Sequence, residues 1–215
     1  GFTLTGGTIV TLYLDNETED AVSVSFGSGS NMTGMHLYQD RLIIRSNTGS
    51  STTGNASALT STHLNVGDDN GDSDIASIYS MRNSDQMLEG ADGKKIYIWS
   101  DSTLAPSARV DSEAMHLEGS FTQDGKLTLS GSLTMSGGTF TASGAVDVNG
   151  KFTQDGGTYT ADSNDAMTVS GAFVQTAGTF THSNGTVVLD GMVSNTHSVA
   201  AGTSLNNLRI EDPTE

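Results

Sequence analysis

The stretch that decides the fold reads Met167-Thr-Val169-Ser-Gly171-Ala-Phe173-Val-Gln175, followed by Gly178-Thr-Phe180-Thr181. Close copies begin at Leu127 and Val146, and the start of a further copy lies at Val187. The landmark glycines of the copies are 19, 21 and 20 residues apart: Gly131, Gly150, Gly171 and Gly191. A partial copy at residues 115–123 precedes the first by 12 residues, and Phe-Thr-Gln-Asp-Gly occurs at both 121–125 and 152–156. A fixed period of this size indicates one small unit stacked many times.

Each copy contains short strands. Its apolar residues alternate with Thr, Ser, Asp or Lys, which is the period of a half-buried strand, and glycine between the alternating pairs indicates a corner. One copy cannot bury its own apolar face, whereas copies stacked roughly 4.7–4.9 Å apart pair their backbone groups with the neighbouring turns. The pattern predicts an all-β fold: a parallel β-helix (β-solenoid) with turns of about 20 residues, right-handed by the rule for parallel crossovers. An antiparallel meander or sandwich is the alternative, which the fixed period disfavours.

Equivalent positions in stacked copies form ladders, so the repeat predicts which side chains contact each other. Threonines on either side of the aromatic residues are predicted to form an outward ladder. One inward stack is predicted to hold Phe121, Leu133, Phe152 and Phe173, and a second to hold Phe140, Tyr159 and Phe180.

The composition narrows the classes of function. The 215 residues include 34% hydrophobic residues and no cysteine, and the net charge is −16. Such a charge disfavours nucleic acid and anionic lipid as partners, and the absence of cysteine excludes disulfides and thiolate metal sites. No apolar run approaches the roughly 20 residues of a membrane helix, so no membrane insertion is predicted. Low hydrophobicity with high charge is also the signature of disorder, but a disordered chain has no reason to keep the alternation.

The N-terminal half is β-rich without a visible repeat. Residues 1–114 are interpreted as a cap, a sandwich or irregular turns of the same solenoid, and residues 115–215 as the regular solenoid. Residues 47–55 are predicted to form an exposed loop, and residues 75–88 a short helical turn. Strands are predicted at residues 8–14, 21–26, 35–46, 63–66, 95–99 and 103–110.

The repeats resemble those of large bacterial surface proteins. The residues that carry the resemblance are Gly-x-Phe-x-Gln-x-x-Gly-Thr-Phe-Thr, the run from Asn184 to Gly191 and the run from Thr203 to Ile210. Over residues 115–210 this style is similar to that of filamentous-haemagglutinin and autotransporter-type β-helix adhesins. The resemblance implies an extracellular or cell-surface stalk, fibre or adhesin, and it does not identify which ligand, if any, the protein binds.

One acidic run has the pattern of a calcium loop. Oxygen-bearing side chains alternate at Asp68, Asn70, Asp72 and Asp74, as at the start of a loop that directs every second side chain to one hard cation. Glycine and glutamate are missing at the sixth and twelfth positions, so a solvated acidic turn is the alternative. The other acidic run, residues 15–20, is interpreted as a hairpin tip.

No motif of an enzyme is present: the chain lacks a nucleophile elbow, a zinc-protease helix and a phosphate loop. Tyr97 and Trp99 are interpreted as core residues rather than a sugar-stacking platform. The sequence therefore predicts a non-enzymatic extracellular structural protein, a subunit of a filament or surface fibre that pairs with itself end to end or by strand donation. The alternative is an adhesin or phage-type receptor-binding module, with cell-surface glycans or proteins as partners.

Overall fold

The chain forms a β-solenoid of about eight turns in a computed structural model that describes residues 8–27, 35–45, 58–68, 71–82, 84–191 and 194–211. Three sheets run along it. Sheet A contains β1 (Ile9–Tyr13), β2 (Val22–Phe26), β3 (Arg41–Arg45), β6 (Lys95–Ile98), β9 (Ala114–Leu117), β12 (Leu133–Met135), β15 (Phe152–Gln154) and β18 (Phe173–Gln175). Sheet B contains β7 (Thr103–Leu104), β10 (Ser120–Thr122), β13 (Thr139–Thr141), β16 (Thr158–Thr160) and β19 (Thr179–Thr181).

Sheet C and two helices complete the described elements. Sheet C contains β4 (Tyr79–Arg82), β5 (Met87–Gly90), β8 (Val110–Ser112), β11 (Leu127–Leu129), β14 (Val146–Val148), β17 (Ala166–Val169), β20 (Thr186–Leu189) and β21 (Asn207–Ile210). The helices are α1 (Ser61–Asp68) and α2 (Ser73–Ala76). Strand pairing between the named strands is parallel except at β1–β2 and β4–β5, so the predicted parallel solenoid is confirmed and the antiparallel meander is excluded.

The regular turns follow the repeat. From β6 to β20, each of five successive turns has one strand in each sheet. The landmark glycines lie at the corner between sheets C and A, and the Gly171 amide donates to the Gly150 carbonyl at 3.0 Å as Gly150 donates to Gly131 at 2.9 Å. A Cβ on Gly150 would lie 2.6 Å from the Gly131 carbonyl carbon, so the close stacking of these corners requires glycine. Their predicted equivalence is confirmed.

The ladders agree with the prediction except at Phe121. Phe152 pairs in register with Phe173, as predicted. Phe121, however, pairs with Phe140 in sheet B, so it belongs to the stack Leu104, Phe121, Phe140, Tyr159 and Phe180. Its predicted place in the sheet A stack is held by Met115. The partial copy at residues 115–123 lies one sheet away from the copies it resembles, because alternation alone does not say which of three sheets a strand joins.

The repeated pentapeptide occupies two different corners. Residues 121–125 lead from sheet B to sheet C, whereas residues 152–156 lead from sheet A to sheet B. At both places a buried glutamine amide donates to a turn carbonyl, from Gln123 to Gly125 and from Gln154 to Gly157. The corners differ in detail: the fifth residue, Gly125, has positive φ at the first, whereas at the second the positive φ belongs to Gly157, one residue beyond the pentapeptide. The identical sequences therefore form different corners in different sheets.

The N-terminal half contributes irregular turns. Sheet A continues without a break from β6 to β9, across residue 114, and one hydrophobic cluster extends from Val22 to Leu189. The strands predicted at residues 8–14, 21–26 and 95–99 are confirmed as β1, β2 and β6. Of the segment predicted at 35–46, only β3 is a strand among the described residues, and the segment at 103–110 divides into β7 and the start of β8. The exposed loop predicted at residues 47–55 lies outside the described residues.

The strand predicted at residues 63–66 is wrong, because these residues belong to α1. The Thr60 amide donates to Nδ1 of His63 at 3.1 Å, and the Leu64 amide donates to the Thr60 carbonyl, so this turn is capped as a helix. Leu64 is buried and Val66 is exposed. The helical turn predicted within residues 75–88 is limited to α2 at its start, since β4 and β5 occupy much of the rest. Neither helix is long and apolar enough to cross a membrane, and this finding covers the described part of the chain only.

Candidate functional site

The two ends of the solenoid hold most of its exposed large hydrophobic side chains. Within the described ranges there are six, and three of them lie at the C-terminal end: Val199, Leu208 and Ile210. Two more lie at the N-terminal end, Leu12 on β1 and Val66 on α1, a helix that contacts β1 and β4 at the edges of sheets A and C. The sixth is Tyr38. The apolar surface is therefore concentrated where a further turn would stack.

Leu208 and Ile210 occupy positions that are buried in every preceding regular turn. Leu208 pairs with Val187 and Ile210 pairs with Leu189, which extends the two inward ladders of sheet C. Val187 and Leu189 are 3% and 6% exposed, whereas Leu208 and Ile210 are 51% and 74% exposed. The exposed fraction is larger at Leu208 and Ile210 because β21 is the edge strand, and no described strand of sheet C lies beyond it. Full burial of an exposed side chain of this kind is worth about 1.5–3 kcal/mol, and covering these two recovers the share that corresponds to their exposed fraction.

The last turn leaves part of the core uncovered. It pairs with sheet A through one bridge, between Val174 and Ser198, and with sheet C through β21. In sheet B, β19 is the edge strand, and no described residue pairs with its outer edge. An apolar pocket of about 200 Å³ opens at this end, with Leu205 and Leu208 over Phe173 and Val187. The free edge of β19 and this pocket together present both unpaired backbone and apolar side chains.

The predicted calcium loop is only partly brought together. Asp68 is the last residue of α1, and its carboxylate accepts the Met81 amide at 2.9 Å. Asn70 lies outside the described residues. Asp72 is the N-cap of α2, where it accepts the Asp74 amide at 2.9 Å. Calcium binding stays a prediction, but Asp68 does not belong to the group of carboxylates that the fold assembles.

Asp15 joins Asp72 and Asp74, with one carboxylate oxygen from each within 4.8 Å of the others. Asp74 accepts the Asn16 amide at 2.6 Å, and Tyr13 donates its hydroxyl to Asp72 at 3.0 Å. That hydrogen bond to Asp72, with burial and the carboxylates around it, raises the pKa of Tyr13. The acidic run at residues 15–20 lies at the tip of the hairpin that β1 and β2 form, as the sequence predicts. The contact between this hairpin tip and Asp72 and Asp74 at the start of α2 depends on the tertiary fold, and no local sequence pattern indicates it.

Tyr97 and Trp99 are not core residues, contrary to the sequence interpretation. On β6 the buried residues are Ile96 and Ile98, so Tyr97 lies on the outward face of sheet A. With His36, Tyr38 and His116 the two rings form an outward aromatic cluster: Trp99 stacks with His36 at 5.4 Å and with Tyr38 at 6.2 Å, and Tyr97 stacks with His116 at 4.9 Å. Burial and a hydrogen bond to Glu118 raise the pKa of Tyr97.

Comparisons of the chain with family models, with curated proteins and with solved structures found no match.

Proposed function

We propose that this protein is a non-enzymatic, extracellular structural subunit that associates end to end with further copies of itself in a filament or surface fibre. β-Solenoids are commonly structural, which agrees with this proposal. The observation that carries it is the exposure of Leu208 and Ile210 at ladder positions that are buried in the preceding turns.

A second copy is the occupant that this end fits best. Its N-terminal end exposes Leu12 and Val66, so apolar side chains would meet apolar side chains across the contact. Such a contact joins two different ends, and a head-to-tail contact that does not close on itself produces a polymer. Strand donation to the free edge of β19 is an alternative form of the same association.

The test compares the assembly of three forms of the protein. The parent protein is expected to form uniform fibres in negative-stain micrographs at high concentration. The double variant Leu208→Asp with Ile210→Asp is expected to stay monomeric, because two carboxylates cannot be buried unpaired in an apolar contact. The control variant, Ser130→Asp with Thr139→Asp, adds the same charge at exposed positions along the side of the solenoid and is expected to form fibres.

Folding of both variants is checked by thermal unfolding. Monodisperse monomers of the parent protein, or fibres of the Leu208→Asp and Ile210→Asp variant, would contradict the proposal.

A receptor-binding module of the adhesin type remains the second candidate function. The observation that favours it is the outward aromatic cluster, since partly exposed rings beside charged groups are typical of binding surfaces rather than of a plain stalk.

A further inference from the structure

The outward face of sheet A changes character along the solenoid. The outward residue at the centre of the strand is threonine on β12 and β15, Thr134 and Thr153, whereas β6 and β9 in the two preceding turns place Tyr97 and His116 there in the same register. The Tyr97 and His116 rings are 12° from parallel. Aromatic rings at this ladder position are not needed for stacking, because threonine occupies it in later turns without change of register.

A groove lies beside these two rings. It has a volume of about 260 Å³, and its lining includes Tyr97, His116, Lys95, Glu113 and Ala114. Small residues account for the depression: Ala114 pairs with the longer Lys95 of the preceding turn, and Gly131 and Ser132 of the next turn also line the groove. The volume is slightly below the range of roughly 300–1,000 Å³ for drug-sized ligands, which leaves room for one small ring.

Charged groups of both signs surround the groove. Arg41 lies 6.0 Å from the Tyr97 ring centroid and also lines the groove, together with Lys95. Glu113 also lines the groove, and Glu118 accepts a hydrogen bond from Tyr97 nearby. Two of the nine Lys and Arg residues of a chain with net charge −16 are therefore placed at one small site. Such a lining offers donors and acceptors to a neutral ligand, whereas an anion would meet the glutamates and the overall charge.

From this arrangement we infer that the groove binds a neutral sugar ring of a glycan chain. A pyranose has an apolar face that packs on aromatic rings and a rim of hydroxyl groups that both donate and accept. Tyr97 and His116 stack on each other, so the aromatic wall that they supply consists of their ring edges and outer faces. Ala114 supplies the floor, and Lys95, Arg41 and Glu113 supply the polar partners of the hydroxyls. The site is on the side of the solenoid, so it stays accessible whether or not the ends associate.

The experiment uses Trp99, the only tryptophan of the chain, as its reporter, because its ring lies 5.5 Å from that of Tyr97. The full-length protein is titrated with neutral oligosaccharides of glucose, galactose, mannose and N-acetylglucosamine, and with acidic oligosaccharides of glucuronate. We expect at least one neutral sugar to shift the Trp99 fluorescence saturably.

Two variants test the groove itself. Ala114→Gln fills the floor and leaves the rings intact, and His116→Thr continues the threonine ladder of the later turns. Each is expected to weaken sugar affinity at least tenfold without lowering the melting temperature appreciably. The control Thr153→Ala, in the same outward ladder two turns beyond His116, is expected to bind like the parent protein.

Three results would overturn the inference: no saturable shift with any neutral sugar, binding of the acidic sugars only, or a shift that both groove variants retain.

Discussion

Tyr159 and Phe180 stack on adjacent turns, with ring centroids 4.9 Å apart and ring planes 9° from parallel. Tyr159 is fully buried, and its hydroxyl has no hydrogen-bond partner among the described residues. Burial, with a smaller effect of Asp162, raises the pKa of this hydroxyl well above its usual range. The equivalent position in the turns on either side is phenylalanine, Phe140 and Phe180. The hydroxyl thus adds a desolvation cost to an otherwise apolar ladder.

Replacing Tyr159 with phenylalanine is expected to stabilise the protein by about 1 kcal/mol, because it removes an unpaired buried hydroxyl. Urea unfolding measures the change. The matched control is Tyr79→Phe: the Tyr79 hydroxyl is buried but donates to the Leu64 carbonyl at 3.0 Å, so its loss is expected to cost about 1 kcal/mol. A destabilised Tyr159→Phe protein would mean that the hydroxyl has a partner.

Gly138 and Gly71 form a second matched pair, since both have positive φ, +61° and +68°. A Cβ on Gly138 would lie 1.5 Å from the Gly119 carbonyl oxygen, whereas nothing lies within 4 Å of one on Gly71. Gly71→Ala is expected to lower the free energy of unfolding by only about 1–2 kcal/mol, which is the cost of a left-handed backbone at a residue with a Cβ. Gly138→Ala is expected to cost upwards of about 4 kcal/mol or to prevent folding, because two turns must separate. Equal melting temperatures for the two variants would contradict the close approach of these turns.

Lys94 connects three successive strands of sheet A: it precedes β6, and its partners Asp40 and Asp20 lie before β3 and β2. Its ammonium lies 2.5 Å from Asp40 and 3.2 Å from Asp20, and its side chain is 16% exposed. Lys94→Met is expected to lower the free energy of unfolding by about 1–2 kcal/mol, because two carboxylates then face each other without a cation. The control Lys126→Met breaks a more exposed ion pair with Asp147 and is expected to lower the free energy of unfolding by less than about 0.5 kcal/mol.

The pH dependence of this contribution has a definite sign. The hydrogen bond that Lys94 donates to Asp40 is the main reason why the pKa of Lys94 is raised, so the folded protein holds the proton more tightly than the unfolded chain does. The contribution is complete below pH of about 10.4, the ordinary lysine pKa, and is lost as pH rises through the folded value. Urea unfolding of the parent protein and Lys94→Met should therefore converge at high pH; a constant difference would exclude this role.

The calcium prediction now names a different set of ligands. If Asp15, Asp72 and Asp74 hold calcium, the ion raises the melting temperature, and Asp15→Asn removes most of this rise while Asp68→Asn keeps it. Asparagine at position 68 still accepts the Met81 amide, so the control preserves the fold. Scanning calorimetry measures the melting temperatures of the parent protein and of both variants, with calcium and with magnesium. An unchanged melting temperature in the parent protein would assign these residues to a solvated acidic turn.

The regular turns could be predicted from the sequence because their signal is local and repeated. Alternation separates inward Phe152 from outward Thr153 within a strand, and the period aligns Phe152 with Phe173 in the next turn. Neither signal reports which sheet an isolated copy joins, so the repeat predicts the wrong stack for Phe121. The predicted right-handedness stays a prediction, as does the extracellular location.

Residues 127–189 by themselves determined the stacked parallel turns, the glycine corners and the inward ladders, since each of these depends on neighbours in the chain or on a constant period. Only the tertiary structure decided that Asp15 meets Asp72, that Tyr97 and Trp99 lie outside the core, and that Leu208 and Ile210 are exposed ladder positions. These features depend on the path of the irregular connections in the N-terminal half and on which turns lie at the ends of the solenoid. Such contacts join residues far apart in the sequence, where no periodic pattern links them.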